Sequence, residues 1–307
     1  MVRRFIPGDK VNRTFLKTVI DNQAVAEATE TKKVRGSLYA SDYGQCQRKV
    51  WFQFFPQDFP PDEDHSPRTY RIFANGNDVH VRLSRYLNKQ TELEFVEEVN
   101  VPRDELDVHG RCDGICTVHN TATVVEFKSI NAKDVDRPKE EHLGQIMWYL
   151  HMFMHLRKQV KEDFGFKEDD VVLESAVISE TALSGRTFQD LNHVEKWLML
   201  SHQQLQGEVI YESKQTQEIY AFPVEYDEEK AKGIKAWFEQ VKHYVDRKEM
   251  PPIRHLPTKY PCSWGFKESA GKCSYYNRCW GSSDISAPIQ EHKEAVLLLK
   301  INGLKSP

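Results

Sequence analysis

Two carboxylates and a lysine stand where chemistry is possible: Asp113 in Arg111-Cys112-Asp113-Gly114, and Glu126 and Lys128 in Val124-Val125-Glu126-Phe127-Lys128. In extended chain, alternate side chains share a face, so Glu126 and Lys128 project together and Asp113 shares a face with Arg111 and Ile115. If the two runs pair about a turn at His119-Asn120-Thr121, Asp113 and Glu126 meet on one side of a sheet, among Val124, Val125 and Phe127. Two carboxylates in apolar surroundings call for a neutralising cation, and hard oxygen donors suit Mg2+ or Mn2+. Such an ion polarises a phosphoryl oxygen and stabilises a leaving alkoxide, while the lysine positions or helps deprotonate an attacking water, which is the chemistry of phosphodiester hydrolysis. Taken alone, Glu-x-Lys is a common pattern and more often describes an exposed polar strand edge.

The elements that must position these residues follow from periodicity. Three extended runs, 93–101, 107–119 and 122–130, suggest an antiparallel meander. Before them, Ser41 or Asp42 caps a helix through Phe55, and a second helix covers about 67–88 after the Pro/Asp-rich loop 55–67. Residues 1–36 show no clear period. Beyond the meander, Arg137-Pro138 opens a helix to about Val160, 171–179 is an expected strand, and 183–212 is helical in part, with Tyr211 onward loop-like. A strand at 217–226 and a helix from an Asp227 cap to about Lys248 complete a mixed α/β pattern, closed by Pro251-Pro252.

A chain of 307 residues with 39% hydrophobic and 29% charged residues is globular rather than disordered or collagen-like. The net charge of −4 announces no nucleic-acid partner, but its distribution is uneven. Residues 1–50 and 247–280 each carry +5, and residues 51–246 carry −14. No apolar run near the start has secretory length, and the apolar stretch 146–156 is too short to span a bilayer and is interrupted by His151 and His155. The expectation is a cytoplasmic chain with no membrane association. No GxxxxGK[ST] signature occurs, so any helicase is a separate partner.

The ordered series Gly76-x3-His80, Gly110-Arg111-Cys112-Asp113-Gly114, Glu126-Phe127-Lys128 and Gln145-x3-Tyr149 resembles the RecB branch of the PD-(D/E)XK nucleases. It most resembles the iron-sulfur subgroup that contains the CRISPR-associated Cas-four-type exonucleases, their phage relatives and the AddB nuclease domain. The resemblance implies that His80, Asp113, Glu126 and the Phe127 carbonyl are metal ligands and that Lys128 is the catalytic lysine. It places Gln145 and Tyr149 beside the active site, and their i, i+4 spacing puts them on one helix face. Cys112 and Cys116 face away from Asp113 and read as buried apolar side chains. His151 and His155 have metal-compatible spacing but no evident third ligand, and read as a solvated face.

Cys46 precedes this core, and Cys262-x10-Cys273-x5-Cys279 follows it. Four thiolates suit a structural Zn2+ or an iron-sulfur cluster, and chemistry alone does not choose between them. The resemblance implies a [4Fe-4S] cluster with one cysteine before the core and three after. The ten residues between Cys262 and Cys273 depart from the two usual in the family. Such a cluster would gather Arg48, Lys49, Lys259, Lys272 and Arg278 into a candidate DNA-backbone contact, and aromatics near the cysteines could stack on bases or merely pack around the cluster.

The resemblance thus implies a restriction-endonuclease-like core, a central mixed sheet flanked by helices, with an iron-sulfur subdomain joining N- and C-terminal segments. The corresponding domains are an N-terminal extension 1–36, a nuclease domain 37–250, a cysteine-rich segment 251–282 and a tail 283–307. The implied activity is a DNA exonuclease acting on single-stranded ends, 5′ to 3′ by family habit, in recombination, repair or CRISPR-type processing, and in the host cell if phage-encoded. The rival reading is a catalytically inactive, cluster-stabilised DNA-binding or adaptor protein.

Overall fold

Alternating apolar side chains build the sheet that carries Asp113 and Glu126. In a computed structural model of the chain, the described residues are 10–30, 35–62, 66–118, 121–167, 170–172, 177, 181–200, 204–253 and 273–280. They divide into two compact units, one drawn from residues 36–51 and 79–254, the other from 1–35, 52–78 and 255–307.

The larger unit holds a five-stranded mixed sheet. Its strands are β2 (Glu94–Asn100), β4 (Arg111–Val118), β5 (Thr121–Ile130), β6 (Gln204–Ser213) and β7 (Ile219–Val224), side by side in that order. The β2–β4–β5 portion is the antiparallel meander, and β6–β7 is also antiparallel. β5 and β6 pair in parallel, which requires a long crossover, supplied by α4 (Glu140–Asp163) and the segment after it. Two short strands, β1 (Leu38–Tyr39) and β3 (Val108–His109), form a separate parallel pair.

Helices cover both sheet faces. Val79 and Leu83 of α3 (Pro67–Leu87) pack with Val125 and Phe127 on one face. α4 lies against β5 and β6 on the other, where Ile146 and Leu150 fill the space above Gly207. α6 (Glu228–Arg247) packs on α4 through the Trp148–Phe238 ring contact, centroids 5.0 Å apart, and starts at Asp227, whose carboxylate accepts the Lys230 N–H at 3.0 Å.

The structure corrects several sequence expectations. Of the strand expected at 171–179 only residues 171, 172 and 177 are described, the rest lying outside the described residues; none of the three is in a strand, and Val172 and Val177 join a cluster with Val160, Phe188, Leu191 and Met199. The strand beside β5 is β6, so Tyr211 is not in a loop but fully buried in the sheet. The 183–212 region resolves into α5 (His193–Leu200) followed by this strand. The helix expected from Ser41 or Asp42 begins later, as α2 (Gln47–Phe54), after a 3-10 turn at Ala40–Asp42.

In the second unit, α1 (Lys10–Glu30) is helical despite its weak sequence period. Phe52 stacks on Tyr275 at 4.9 Å and meets Phe59 at 5.5 Å. The Asp62 N–H donates to the Ser274 carbonyl at 2.6 Å, and Arg278 Nε, from α7 (Tyr276–Trp280), donates to the Pro60 carbonyl at 2.8 Å. No helix among the described residues is long and apolar enough to cross a membrane.

Gly144 tests the packing behind the site. A Cβ there would lie 1.9 Å from Cδ1 of Tyr43, whose ring is held edge-on against Trp237. Alanine gains about 1 kcal/mol of helix propensity, but the overpacking costs about 1–3 kcal/mol and the ring has little room to yield. Gly144→Ala is therefore expected to lower unfolding stability by about 1 kcal/mol in denaturant titration; a variant as stable as the parent would show that Tyr43 moves freely.

Candidate active site

At the Asp113 end of the sheet the strands part. Regular β4–β5 pairing runs from Val118–Thr121 to Gly114–Val125. One step further, the Asp113 side chain replaces a backbone acceptor and receives the Phe127 N–H on Oδ2 at 2.6 Å. The β2–β4 ladder also omits the pair opposite Asp113, where Glu98 takes a left-handed φ of 54°. Asp113 Oδ1 lies 2.8 Å from His80 Nδ1 on α3.

Glu126 points to the α4 side and is 3% exposed. Its Oε1 accepts from Lys128 Nζ at 2.5 Å and from Gln145 Nε2 at 2.7 Å. Gln145 Nε2 also donates to Tyr149 Oη at 2.7 Å, and Tyr149 Oη donates to the Arg111 carbonyl at 3.3 Å. Glu126 Oε2 is buried with no hydrogen-bond partner. Burial pushes the carboxyl up to about 7; Lys128 opposes the shift and the neighbouring Asp113 charge adds to it.

The donor chemistry fits a divalent cation in one respect and is incomplete in another. A buried carboxylate oxygen without a partner is satisfied by a proton or a cation, and Asp113 stands close enough to repel its charge. Yet among the described residues no three His, Cys, Asp or Glu side chains stand grouped as a ready metal holder. His80 spends Nδ1 on Asp113, and Asp113 spends its oxygens on His80 and Phe127.

Two residues of this site escaped the sequence reading. Tyr211 is the β6 partner of Lys128 in the parallel register. Its Oη accepts the N–H of Lys139, the residue capping α4, at 3.0 Å and lies 2.7 Å from His142 Nδ1. Burial, with the Lys128 and Lys139 charges, holds the His142 ring down to about 3, so it is neutral at physiological pH. His142, Gln145 and Tyr149 fall at i, i+3 and i+7, one face of α4. That spacing was the available signal for His142.

The remaining expectations fare differently. Cys112 is fully buried and donates to the Val99 carbonyl at 3.5 Å; burial and the Glu126 and Asp113 charges push its thiol up, which keeps it protonated. Cys116 is half-buried against the α3 cluster. His151 is not on a solvated face: it is half-buried between Trp148 and Tyr226, with Nδ1 3.0 Å from Tyr226 Oη. Arg48 is buried, and its Nε donates to the Pro251 carbonyl at 2.7 Å, which takes it out of the candidate DNA contacts. Lys49 is half-buried and Arg278 exposed; Lys259 and Lys272 lie outside the described residues. Cys46 is half-buried in the larger unit, Cys273 and Cys279 are half-buried in the other, and Cys262 lies outside the described residues.

No known protein-family profile matches the chain. The CRISPR-associated exonuclease Cas4 of Saccharolobus solfataricus is 25% identical over 125 residues. That match spans 39% of this chain and 60% of the relative's length. Among solved structures, the protein SSO0001 is similar with a TM-score of 0.39 and 14% identity, over 76% of this chain and 87% of that one. The alkaline exonuclease LHK-Exo of Laribacter hongkongensis gives a TM-score of 0.34 and 12% identity, over 69% of this chain and 92% of that one.

The Glu126 carboxyl gives a pH test. Its pKa in the folded chain, about 7, exceeds the ordinary 4.5, so the folded state binds the proton more tightly than the unfolded one. Stability falls as pH rises from about 4.5 to about 7 and is flat above. Glu126→Gln removes this loss. In EDTA, the variant's stability relative to the parent is expected to improve from pH 5 to pH 8 by about 1–3 kcal/mol, read by denaturant titration at both values; a constant difference would mean that Glu126 is compensated in the fold.

Proposed function

We propose that this chain is a metal-dependent DNA exonuclease with a RecB-like PD-(D/E)XK site, acting on single-stranded ends in recombination, repair or CRISPR-type processing. The observation that carries the reading is the buried Glu126 carboxylate, one oxygen without a partner, with Asp113 and Lys128 beside it. The likeness to a Cas4 exonuclease over 125 residues supports the same chemistry.

Asp113, Glu126 and the Phe127 carbonyl would hold Mg2+ or Mn2+, joined by His80 through Nε2, the ring nitrogen not turned to Asp113. When bound, the ion supplies electrophilic stabilisation of the phosphoryl oxygen and of the leaving alkoxide. Lys128, 22% exposed at its side chain, holds the attacking water by N–H donation and lowers the cost of removing its proton. Gln145 fixes the rotation of the Glu126 carboxylate, and Tyr149 in turn fixes Gln145. His80 holds Asp113 from the α3 side. On sequence grounds, Cys46, Cys262, Cys273 and Cys279 remain the proposed thiolate set for a [4Fe-4S] cluster, with Zn2+ as the other occupant such a set accepts.

Two experiments test this. With single-stranded DNA labelled at either end and Mg2+ or Mn2+, the parent is expected to cleave, the first label released giving the polarity. Lys128→Ala and Asp113→Ala are expected to lose at least about 100-fold in rate while still binding DNA. A parent that binds DNA but cleaves under neither metal would instead be the adaptor protein. Separately, anaerobically purified parent is expected to contain iron and sulfide, and Cys279→Ala to lose both; zinc without iron would replace the cluster and leave the nuclease reading standing.

A further inference from the structure

We propose that His142 donates a hydrogen bond through Nε2 to a phosphate oxygen of the bound strand, with Tyr211 as the residue that orients it. The inference deepens the nuclease reading and rests on it for the identity of the ligand, a phosphodiester.

The tautomer follows from the hydrogen bonds. Tyr211 Oη already accepts the Lys139 backbone N–H at 3.0 Å, and the His142 ring nitrogen Nδ1 lies 2.7 Å away. A phenol oxygen could accept from the ring as well, but the Tyr211 hydroxyl proton would then have no acceptor among these contacts; the arrangement that satisfies both groups has Tyr211 donating to Nδ1 and the ring proton on Nε2. The tyrosine thereby converts the half-buried histidine into a donor with a fixed direction.

Placement makes that donor useful. Tyr211 is the register partner of Lys128, and His142 continues, one turn toward the helix start, the α4 face whose Gln145 holds Glu126. The charged groups acting on the pair are Lys128 from β5, Lys139 at the start of α4, and Glu141, which acts on Tyr211. Lys128 is paired with Glu126 and Lys139 stands 4.0 Å from Glu141, so both charges are already balanced here, and a neutral ring adds a directed contact to a phosphate oxygen without adding repulsion between His142 and Lys128. The Tyr211 ring also lies tilted against the imidazole, centroids 5.5 Å apart, which restricts the plane of the His142 ring.

The test is binding of a fluorescein-labelled single-stranded oligonucleotide in EDTA, read by anisotropy, alongside cleavage in Mg2+. His142→Ala is expected to weaken binding about tenfold, the worth of a hydrogen bond to a charged group, and to raise KM by a similar factor with kcat little changed. His142→Gln, which can present an N–H near the position of Nε2, is expected to recover most of the affinity. Tyr211→Phe keeps the ring and is expected to weaken binding in the same direction, so it carries the test if the alanine variant does not fold. The ratio of parent to His142→Ala affinity is expected to stay constant from pH 5.5 to 8. Equal binding by parent and His142→Ala would overturn the proposal, as would a ratio that rises steeply below pH 6.5, the mark of a cationic ring. A parent that fails to cleave but still loses affinity on His142→Ala would refute the nuclease reading and leave the phosphate donor in place.

Discussion

A backbone N–H at the end of a sheet ladder must find an acceptor, and at Phe127 the acceptor is the Asp113 carboxylate. Much of the site follows from that one contact. Because Asp113 supplies a side-chain oxygen where a carbonyl would otherwise stand, regular pairing of β4 with β5 ends at Gly114–Val125 and the strands separate beyond it. The separation lets His80 reach Asp113 from α3 and brings Asp113 within electrostatic range of Glu126. A ladder continued through this point would have used the same backbone groups for pairing and left no gap for polar side chains.

α4 supplies the other wall by presenting two unlike faces. His142, Gln145 and Tyr149 turn toward the polar groups of β5 and β6, whereas Glu140, Leu143, Gly144 and Met147 line a cavity of about 790 Å³ with Tyr43, Tyr226 and Asp227. The two sets lie on opposite sides of a 3.6-residue helix. The missing side chain at Gly144 seats Tyr43 against the outer face, while Ile146 and Leu150 press on the sheet over Gly207. The polar face is thus held in place by apolar packing around the rest of the helix, with Tyr211 accepting the N–H of Lys139, the residue just before α4, whose own side chain makes no capping bond.

The meander and the pairing of Asp113 with the Glu126 strand were legible because they depend on local alternation and a short turn. The same holds for α4 and α6, whose starts carry Pro138 and the Asp227 cap. The parallel strand β6 was missed, although Leu205, Gly207, Val209 and Tyr211 alternate as buried residues with Gln206 and Glu208 between them. A glycine in the apolar register hid the pattern, and the β-branched run at 171–179 offered a more obvious strand. There, the described Val172 and Val177 are buried in a cluster with Phe188 and Met199. Missing β6 meant missing Tyr211, and with it the reason His142 has a defined role; a residue whose meaning depends on a parallel partner some seventy positions away carries no local signal.

The polar cluster also makes poor sense as a device for stability. Glu126 is 3% exposed, and one of its oxygens is buried without a partner, a loss of about 1–3 kcal/mol for a neutral group and more for a charged one. Well-packed apolar residues in place of a buried ion pair such as Glu126–Lys128 are commonly as stable or more so. The rest of the network does not remove that cost: Gln145 and Lys128 both turn to Oε1, and Asp113 adds a second negative charge. A fold selected for stability alone would close this gap with another valine. Retaining two acids, a lysine and a glutamine there is consistent with a site whose charge is balanced when a cation or a substrate is present, and whose unbalanced state is the cost of having that charge available.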